Sequence, residues 1–145
     1  MSDTYIPTRW RDEIAARANS NCEYCRVQSW FTGPFSIDHI VPASKNGTTT
    51  MDNLAFACLA CNLAKSDRTE SLDPLTGVLA PFFNPRNQRW LDHFCWNDDA
   101  TIIIGLTMSG RATVEALHLN RADVVHLREV LVAFGDHPQI GRAHV

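Results

Sequence analysis

The feature that most constrains this chain is the pairing of its cysteines. Four of the five fall into two Cys-x-x-Cys pairs, Cys22-Glu23-Tyr24-Cys25 and Cys58-Leu59-Ala60-Cys61, while Cys95 stands apart in HFCWN. Scattering five cysteines at random over this length gives two such pairs roughly one time in a hundred. A thioredoxin-type couple needs one pair at a strand–helix junction, not two. A disulfide framework needs an oxidising compartment, and the opening MSDTYIPTRWRDEIAARA has no charged-then-apolar signal pattern. No apolar run nears the ~20 residues of a membrane span. The expected setting is therefore the cytoplasm, with no membrane and with reduced thiols. The two pairs are best read as one tetrahedral zinc site, in which each tight turn supplies two thiolates and both clamp one ion. The 32 residues between the pairs exceed the about 15–20 of a common zinc ribbon. Something is therefore inserted between the two knuckles. Cys95, among aromatics, reads as a small buried hydrophobe.

The insert carries IDHIVP, with Asp38 and His39 adjacent in an alternating, β-branched stretch. On a strand these two side chains point to opposite faces. Taken alone, Asp38 reads as the exposed end of a strand, paired with some Arg. Asn53 follows a polar, Gly-bearing loop and alone reads as a turn former. Asn62 directly follows the last cysteine of the second pair and alone reads as a helix cap. Together they read differently. The stretch CEYC…IDHIVPASKNG…DNLAFACLACNLAKS resembles the zinc-bearing HNH endonuclease family over about residues 20–68. That pattern runs Cys-x-x-Cys, Asp-His-Ile-x-Pro, a loop with Gly, Asn-Leu, then Cys-x-x-Cys followed by His or Asn and a Lys.

The resemblance implies an α+β fold: a ββα-metal (His-Me finger) core, in which a hairpin with a long loop packs on a helix. The first strand would hold Asp38 and His39, the second would lie near Leu54–Ala57, and the helix would start near Asn62. Zinc on Cys22, Cys25, Cys58 and Cys61 would be structural, because four thiolates leave no open position. By the same resemblance His39 is the general base, a role that suits an imidazole whose ordinary pKa is about 6.5. Asp38 and Asn62 would bind a catalytic cation, and their oxygen donors suit Mg2+ or Mn2+. Asn53 would hold the loop and the orientation of His39. Lys65, one turn after Asn62, would meet a phosphate of the DNA substrate or else lie on a solvated helix face. Many family members have His where this chain has Asn62, and that departure biases the site toward harder cations.

Around this core the sequence places further elements. PTRWRDEIAARAN reads as an N-terminal helix with Thr8 as N-cap and Trp10, Ile14 and Ala18 on one face. NLAKSDRTES reads as a helix. DPLTGVLAPFFNPRNQ, rich in Pro, Gly and Asn, reads as irregular surface chain. HFCWN and TIIIGLT read as a strand–turn–strand. SGRATVEALHLN and RADVVHLREVLVAF read as helices, the latter capped by Asn120 with Val124, Leu127, Leu131 and Phe134 on one face. This C-terminal hairpin-plus-helices extension is similar to that of a bacterial subgroup of the family. The expected organisation is one domain over 1–145: a core at about 20–70, an extension at about 81–135 and a frayed tail at 136–145. His93, Arg86 and Arg89 are further candidates to approach the site.

Charge bounds the substrate. The net charge is −3; residues 1–90 balance nine Lys/Arg against nine Asp/Glu, and residues 91–145 carry four against seven. No basic footprint marks a tight nucleic-acid binder. A partner protein, a homodimer, or an acidic C-terminal face turned from DNA would reconcile this with a nuclease. The competing function is a catalytically silent zinc module that binds nucleic acid or a partner protein. It needs the cysteines, but not Asp38, His39, Asn53 and Asn62 together.

Overall fold

The computed structural model describes residues 4–138. Its fold is α+β, with short helices set around three two-stranded antiparallel sheets. Helix α1 (Thr8–Arg17) has Pro7, not Thr8, at its cap position, and Thr8 is its first residue. A proline there gives up no useful donor, since the first helical amides have no partner in the helix. Asn19 and Ser20 then adopt left-handed φ angles of 52° and 58°, which ends α1 and turns the chain into the first knuckle. A four-residue helix, α2 (Ser29–Thr32), precedes the strands.

Strand β1 (Ser36–His39) pairs antiparallel with β2 (Leu54–Ala57), setting Asp38 opposite Ala55 and His39 opposite Leu54. Strand β2 is buried along its whole length because it lies between two cores. Its alternation splits it: Ala55 and Ala57 join the larger cluster, while Leu54 and Phe56 join a smaller one with Ile6, Ile14 and Ala18 of the N-terminal segment. Helix α3 (Leu59–Lys65) begins inside the second knuckle, with the Cys58 sulfur as its N-cap acceptor. It therefore starts before Asn62, which is not its cap. It stops at Lys65, where Ser66 takes φ 53°, so the helix expected through NLAKSDRTES is cut short.

The stretch expected to be irregular forms a hairpin instead. Strands β3 (Glu70–Leu72) and β4 (Leu79–Pro81) pair antiparallel, and Phe82 and Phe83 then enter the core. Pro74 and Gly77 belong to its turn, while Pro81 ends β4 and Pro85 lies beyond it. There the Asp73 carboxylate accepts from the Leu75 amide and the Thr76 hydroxyl, and Gly77 has φ 71°. Helix α4 (Trp90–His93) leads into the hairpin of β5 (Phe94–Trp96) and β6 (Ile103–Gly105), as expected. Helix α5 (Met108–Ala116) is capped by the Thr107 hydroxyl. Helix α6 (Ala122–Ala133) has Arg121 at its cap position. Asn120, expected there, instead closes on β6 by accepting from the Ile103 amide and donating to the Ile103 carbonyl. Phe134 is exposed rather than packed.

One buried cluster joins core and extension, bringing Tyr24, Cys25, Cys58 and Cys61 together with Phe83, Trp90, Phe94, Ile103, Leu119 and Val124. Where the tail was expected to begin, the Asp136 amide donates to the Leu131 carbonyl and His137 stands edge-on to Trp96. The rest of that tail, 139–145, lies outside the described residues.

Candidate metal centre and active site

The sulfurs of Cys22, Cys25, Cys58 and Cys61 lie within 4.8 Å of one another, and all four residues are buried. Zinc–sulfur bonds of about 2.3 Å in a tetrahedron place sulfurs about 3.8 Å apart, and Cys25 and Cys58 stand 3.7 Å apart. None of the five cysteines is in a disulfide. In each knuckle the amide of the second cysteine donates to the sulfur of the first, at 3.5 Å for Cys25 on Cys22 and 3.4 Å for Cys61 on Cys58. Burial pushes the Cys22 thiol well above its ordinary value, while hydrogen bonds from the neighbouring cysteines draw Cys25 well below it. Four buried sulfurs cannot all ionise unaided, and a dication is what makes four thiolates tolerable there. The set is closed, so a metal held here has a structural task. Arg121 lies against the cluster from the extension, its guanidinium 3.4 Å from the Cys58 sulfur and 3.7 Å from that of Cys25. Burial alone would lower its pKa, but the charge of the sulfurs outweighs burial and holds it above the ordinary value.

Asp38 and His39 take different environments, as neighbours on a strand must. The His39 ring, half-buried, bonds through Nε2 to the Thr49 hydroxyl at 2.9 Å. Thr49 belongs to the 40–53 loop, and Asn53 closes that loop. Asn53 Oδ1 accepts from the Val41 amide at 2.9 Å, and Nδ2 donates to the carbonyls of Val41 and Thr48 at 2.9 and 2.7 Å. Gly47 is forced by close approach, since a Cβ there would lie 1.6 Å from the Val41 carbonyl oxygen. Asn53 thus holds the residue next to the one that holds His39.

Asp38 is only 3% exposed. Its Oδ2 accepts from the Tyr24 hydroxyl at 2.7 Å and its Oδ1 from Lys65 Nζ at 3.2 Å. Burial pushes its carboxyl above the usual range, and the Lys65 ammonium and Tyr24 hydroxyl pull it back. Burial, then the charge of Asp38, pushes Tyr24 well above the ordinary phenol value and so keeps it a donor. Lys65 is 1% exposed and also donates to the His39 and Ile40 carbonyls at 3.1 and 3.0 Å. It is therefore neither a phosphate contact nor part of a solvated face; its ammonium is spent inside the protein. Asn62 is half-buried on α3, and no described residue hydrogen-bonds its side-chain amide. Oxygen, the donor that both Asp38 and Asn62 offer, is the type that hard cations take. A carboxylate has about four lone-pair sites, of which Tyr24 and Lys65 use two, and the Asn62 oxygen is uncommitted.

The other candidates serve elsewhere. His93 Nδ1 bonds the Thr107 hydroxyl at 2.7 Å, and its ring packs on Phe83. Arg86 pairs with Glu23 in the first knuckle. Arg89 pairs on the surface with Asp92 at 3.2 Å. Four residues that sequence reasoning missed do shape the site: Tyr24, Thr49, Arg121 and Arg128. Arg128 is buried and donates to the carbonyls of Cys25, Leu119 and Thr101. A tyrosine between two metal-site cysteines, and a run of threonines after Gly47, were the available signals for the first two. A groove of about 420 Å³ lies away from His39, beside the second knuckle, lined in part by Phe35, Leu59, Leu63, Arg121 and Leu127.

The family model for HNH endonucleases matches residues 22–68, from the first knuckle to just beyond α3. Among curated proteins the chain is similar to the CRISPR-associated endonuclease Cas9 of Corynebacterium diphtheriae, at 37% identity over 59 residues. Those residues are 40% of this chain and 5% of that protein, so the match spans a small part of the relative's length. No solved structure matches the chain. No helix of the described residues is long and apolar enough to cross a membrane.

Proposed function

We propose that this chain is an endonuclease that hydrolyses phosphodiester bonds in DNA, with His39 as general base and one divalent cation held by Asp38 and Asn62. The observation that carries this reading is His39: one ring nitrogen is bonded to Thr49, and no described residue bonds the other. With Nε2–H donating to Thr49, Nδ1 keeps its lone pair and can take the proton of a water aligned with phosphorus. Asn53 supports that alignment by keeping the Thr48–Thr49 stretch folded onto Val41. When bound, Mg2+ or Mn2+ neutralises charge developing on the phosphoryl oxygens and on the leaving 3′ oxygen. Asp38 and Asn62 present oxygen alone, whereas an imidazole at 62 would favour softer metals. Fastest cleavage with Zn2+ or Ni2+ would overturn that preference. Zinc on the four cysteines fixes the frame and takes no part in the chemistry. At a net charge of −3, a partner protein, a second copy, or an acidic C-terminal face turned from the DNA would reconcile the charge with grip on DNA. Zinc-binding cysteines, which must stay reduced, suit the cytoplasm.

A second reading has its own observation. Asp38 already has Lys65 and Tyr24 on its two oxygens, as a catalytically silent module that binds nucleic acid or a partner protein would allow. Supercoiled plasmid incubated with Mg2+ or Mn2+ separates the two. Wild type is expected to cut, and His39→Ala to be slower by about a hundredfold or more. Equal cutting by both would reject the base, and no cutting by wild type across salt and cation would favour the silent module.

A further inference from the structure

Strand β1 delivers Asp38, but two other elements hold it. The first is the zinc knuckle. Tyr24 is fully buried between two metal-site cysteines, and its carbonyl accepts from the Trp90 indole at 3.0 Å. Its backbone is thus fixed by the knuckle and the core while its hydroxyl reaches Asp38 Oδ2. The second is α3. Lys65 uses its three donors on acceptors from three consecutive residues, Asp38, His39 and Ile40. It sits one turn after Asn62 on the same helix. Burying a lysine and an aspartate together is a poor way to gain stability, since an apolar pair of like volume often does as well. What the pair does fix is geometry.

We propose that Tyr24 and Lys65 are positioning residues for the cation ligands: Tyr24 orients the Asp38 carboxylate from the first zinc knuckle, and Lys65 locks α3, which carries Asn62, to the end of β1. This rests on the reading of Asp38 and Asn62 as cation ligands. Partners that orient ligands in this way are typically worth 10–100-fold in metal affinity. The zinc centre and the cation site are then one construction, joined through the Tyr24 phenol from the first knuckle and through the Cys61–Asn62 peptide bond of the second.

The test is Mn2+ binding to the zinc-loaded full chain without nucleic acid, read by the electron paramagnetic resonance of free Mn2+. Tyr24→Phe deletes only a hydroxyl. It is expected to weaken Mn2+ binding about tenfold while zinc content and melting are retained. In plasmid cleavage the half-saturating Mn2+ concentration should rise, and the plateau rate should stay within about twofold. Lys65→Met gives a contrast in sign. Removing a nearby ammonium would tighten cation binding if charge alone mattered, whereas loss of positioning weakens it. Unchanged binding by Tyr24→Phe overturns the role of Tyr24, and tighter binding by Lys65→Met overturns that of Lys65. If wild type binds no Mn2+, or Asp38→Asn binds it as well as wild type, the cation reading itself fails and this inference with it.

Discussion

Cys22–Cys25 and Cys58–Cys61 have the same spacing, the same amide-to-sulfur hydrogen bond and the same buried sulfurs, yet their intervening residues lie in opposite environments. In the first knuckle Glu23 and Tyr24 turn inward. The Glu23 amide donates to the Phe56 carbonyl at 2.9 Å, its carboxylate accepts from the Phe56 amide at 2.8 Å, and Arg86 pairs with the same carboxylate. Glu23 thus covers the edge of β2 that β1 leaves free, and Tyr24 reaches Asp38. In the second knuckle the matching positions, Leu59 and Ala60, are exposed, and the working residues come after it on α3. The spacing fixes sulfurs only. The path by which the chain leaves each knuckle decides which side chains are buried: a turn packed under a sheet in one case, the first turn of a surface helix in the other.

The largest expected effect erases the difference between the knuckles. Stripping zinc with a chelator, or replacing either Cys25 or Cys58 by Ser, should abolish cooperative unfolding. Structural zinc is worth about 10–16 kcal/mol in small zinc-dependent folds. Near-ultraviolet circular dichroism with zinc stoichiometry checks this. A chelated protein that melts like the loaded one would break the clamp account, and a Cys58→Ser variant that keeps zinc while Cys25→Ser loses it would break the symmetry.

The next effect separates the knuckles. Glu23→Leu, which gives the first knuckle the residue found in the second, should destabilise by about 3 kcal/mol or more. It leaves the buried Phe56 amide without its acceptor and Arg86 without its partner. Urea denaturation at fixed zinc measures it. A loss below about 1 kcal/mol would mean that the edge of β2 finds another acceptor.

How much of this was legible in the sequence follows the same division. The four cysteines could be read because fixed spacing marks them, and β2 and the β5–β6 hairpin because short apolar or β-branched runs do; the roles given to Asp38, His39, Asn53 and Asn62 are what the family resemblance implies. The fate of Lys65 could not. Helical spacing alone does not say that its face meets β1, and only a buried Asp38 gives its ammonium a reason to turn inward. Thr8 and Asn120 were expected as caps because their side chains can cap, but Pro7 and Arg121 hold those positions. The β3–β4 hairpin was hidden because Pro74 and Gly77 of its turn, and Pro81 in β4 itself, are residues that composition assigns to loose chain. Arg121 and Arg128 meet the knuckles from far along the chain, a pairing no local pattern encodes.

Arg121 reaches the sulfurs of both knuckles from outside them through its guanidinium. Its nearest sulfur contacts are Cys58 and Cys25, with Cys61 farther at 3.9 Å. Arg121→Met should therefore weaken zinc about tenfold, at the low end for residues that support metal ligands, and should leave the folded, zinc-loaded spectrum unchanged. Competition with a chromogenic chelator reads it. Unchanged affinity would assign Arg121 to packing of α6 alone and leave Arg128 as the extension's charge beside the metal centre.

The smallest effect is the reciprocal of the Glu23 substitution. Leu59→Glu places the first knuckle's residue in the second. Leu59 is 56% exposed, so little apolar area is lost from the core, and the introduced carboxylate stays in water, where it has no buried amide to satisfy. A surface change of this kind is expected within about 0.5 kcal/mol of neutral. A carboxylate in the first turn of α3 also lies at the positive end of that helix, which offsets part of any loss. Zinc affinity should be unchanged as well, because the sulfur of Cys58 and the amide of Cys61 stay where they are. If Leu59→Glu instead costs as much as Glu23→Leu, burial does not distinguish the two knuckles. The groove beside Leu59 would then be part of what holds the fold together rather than an open surface.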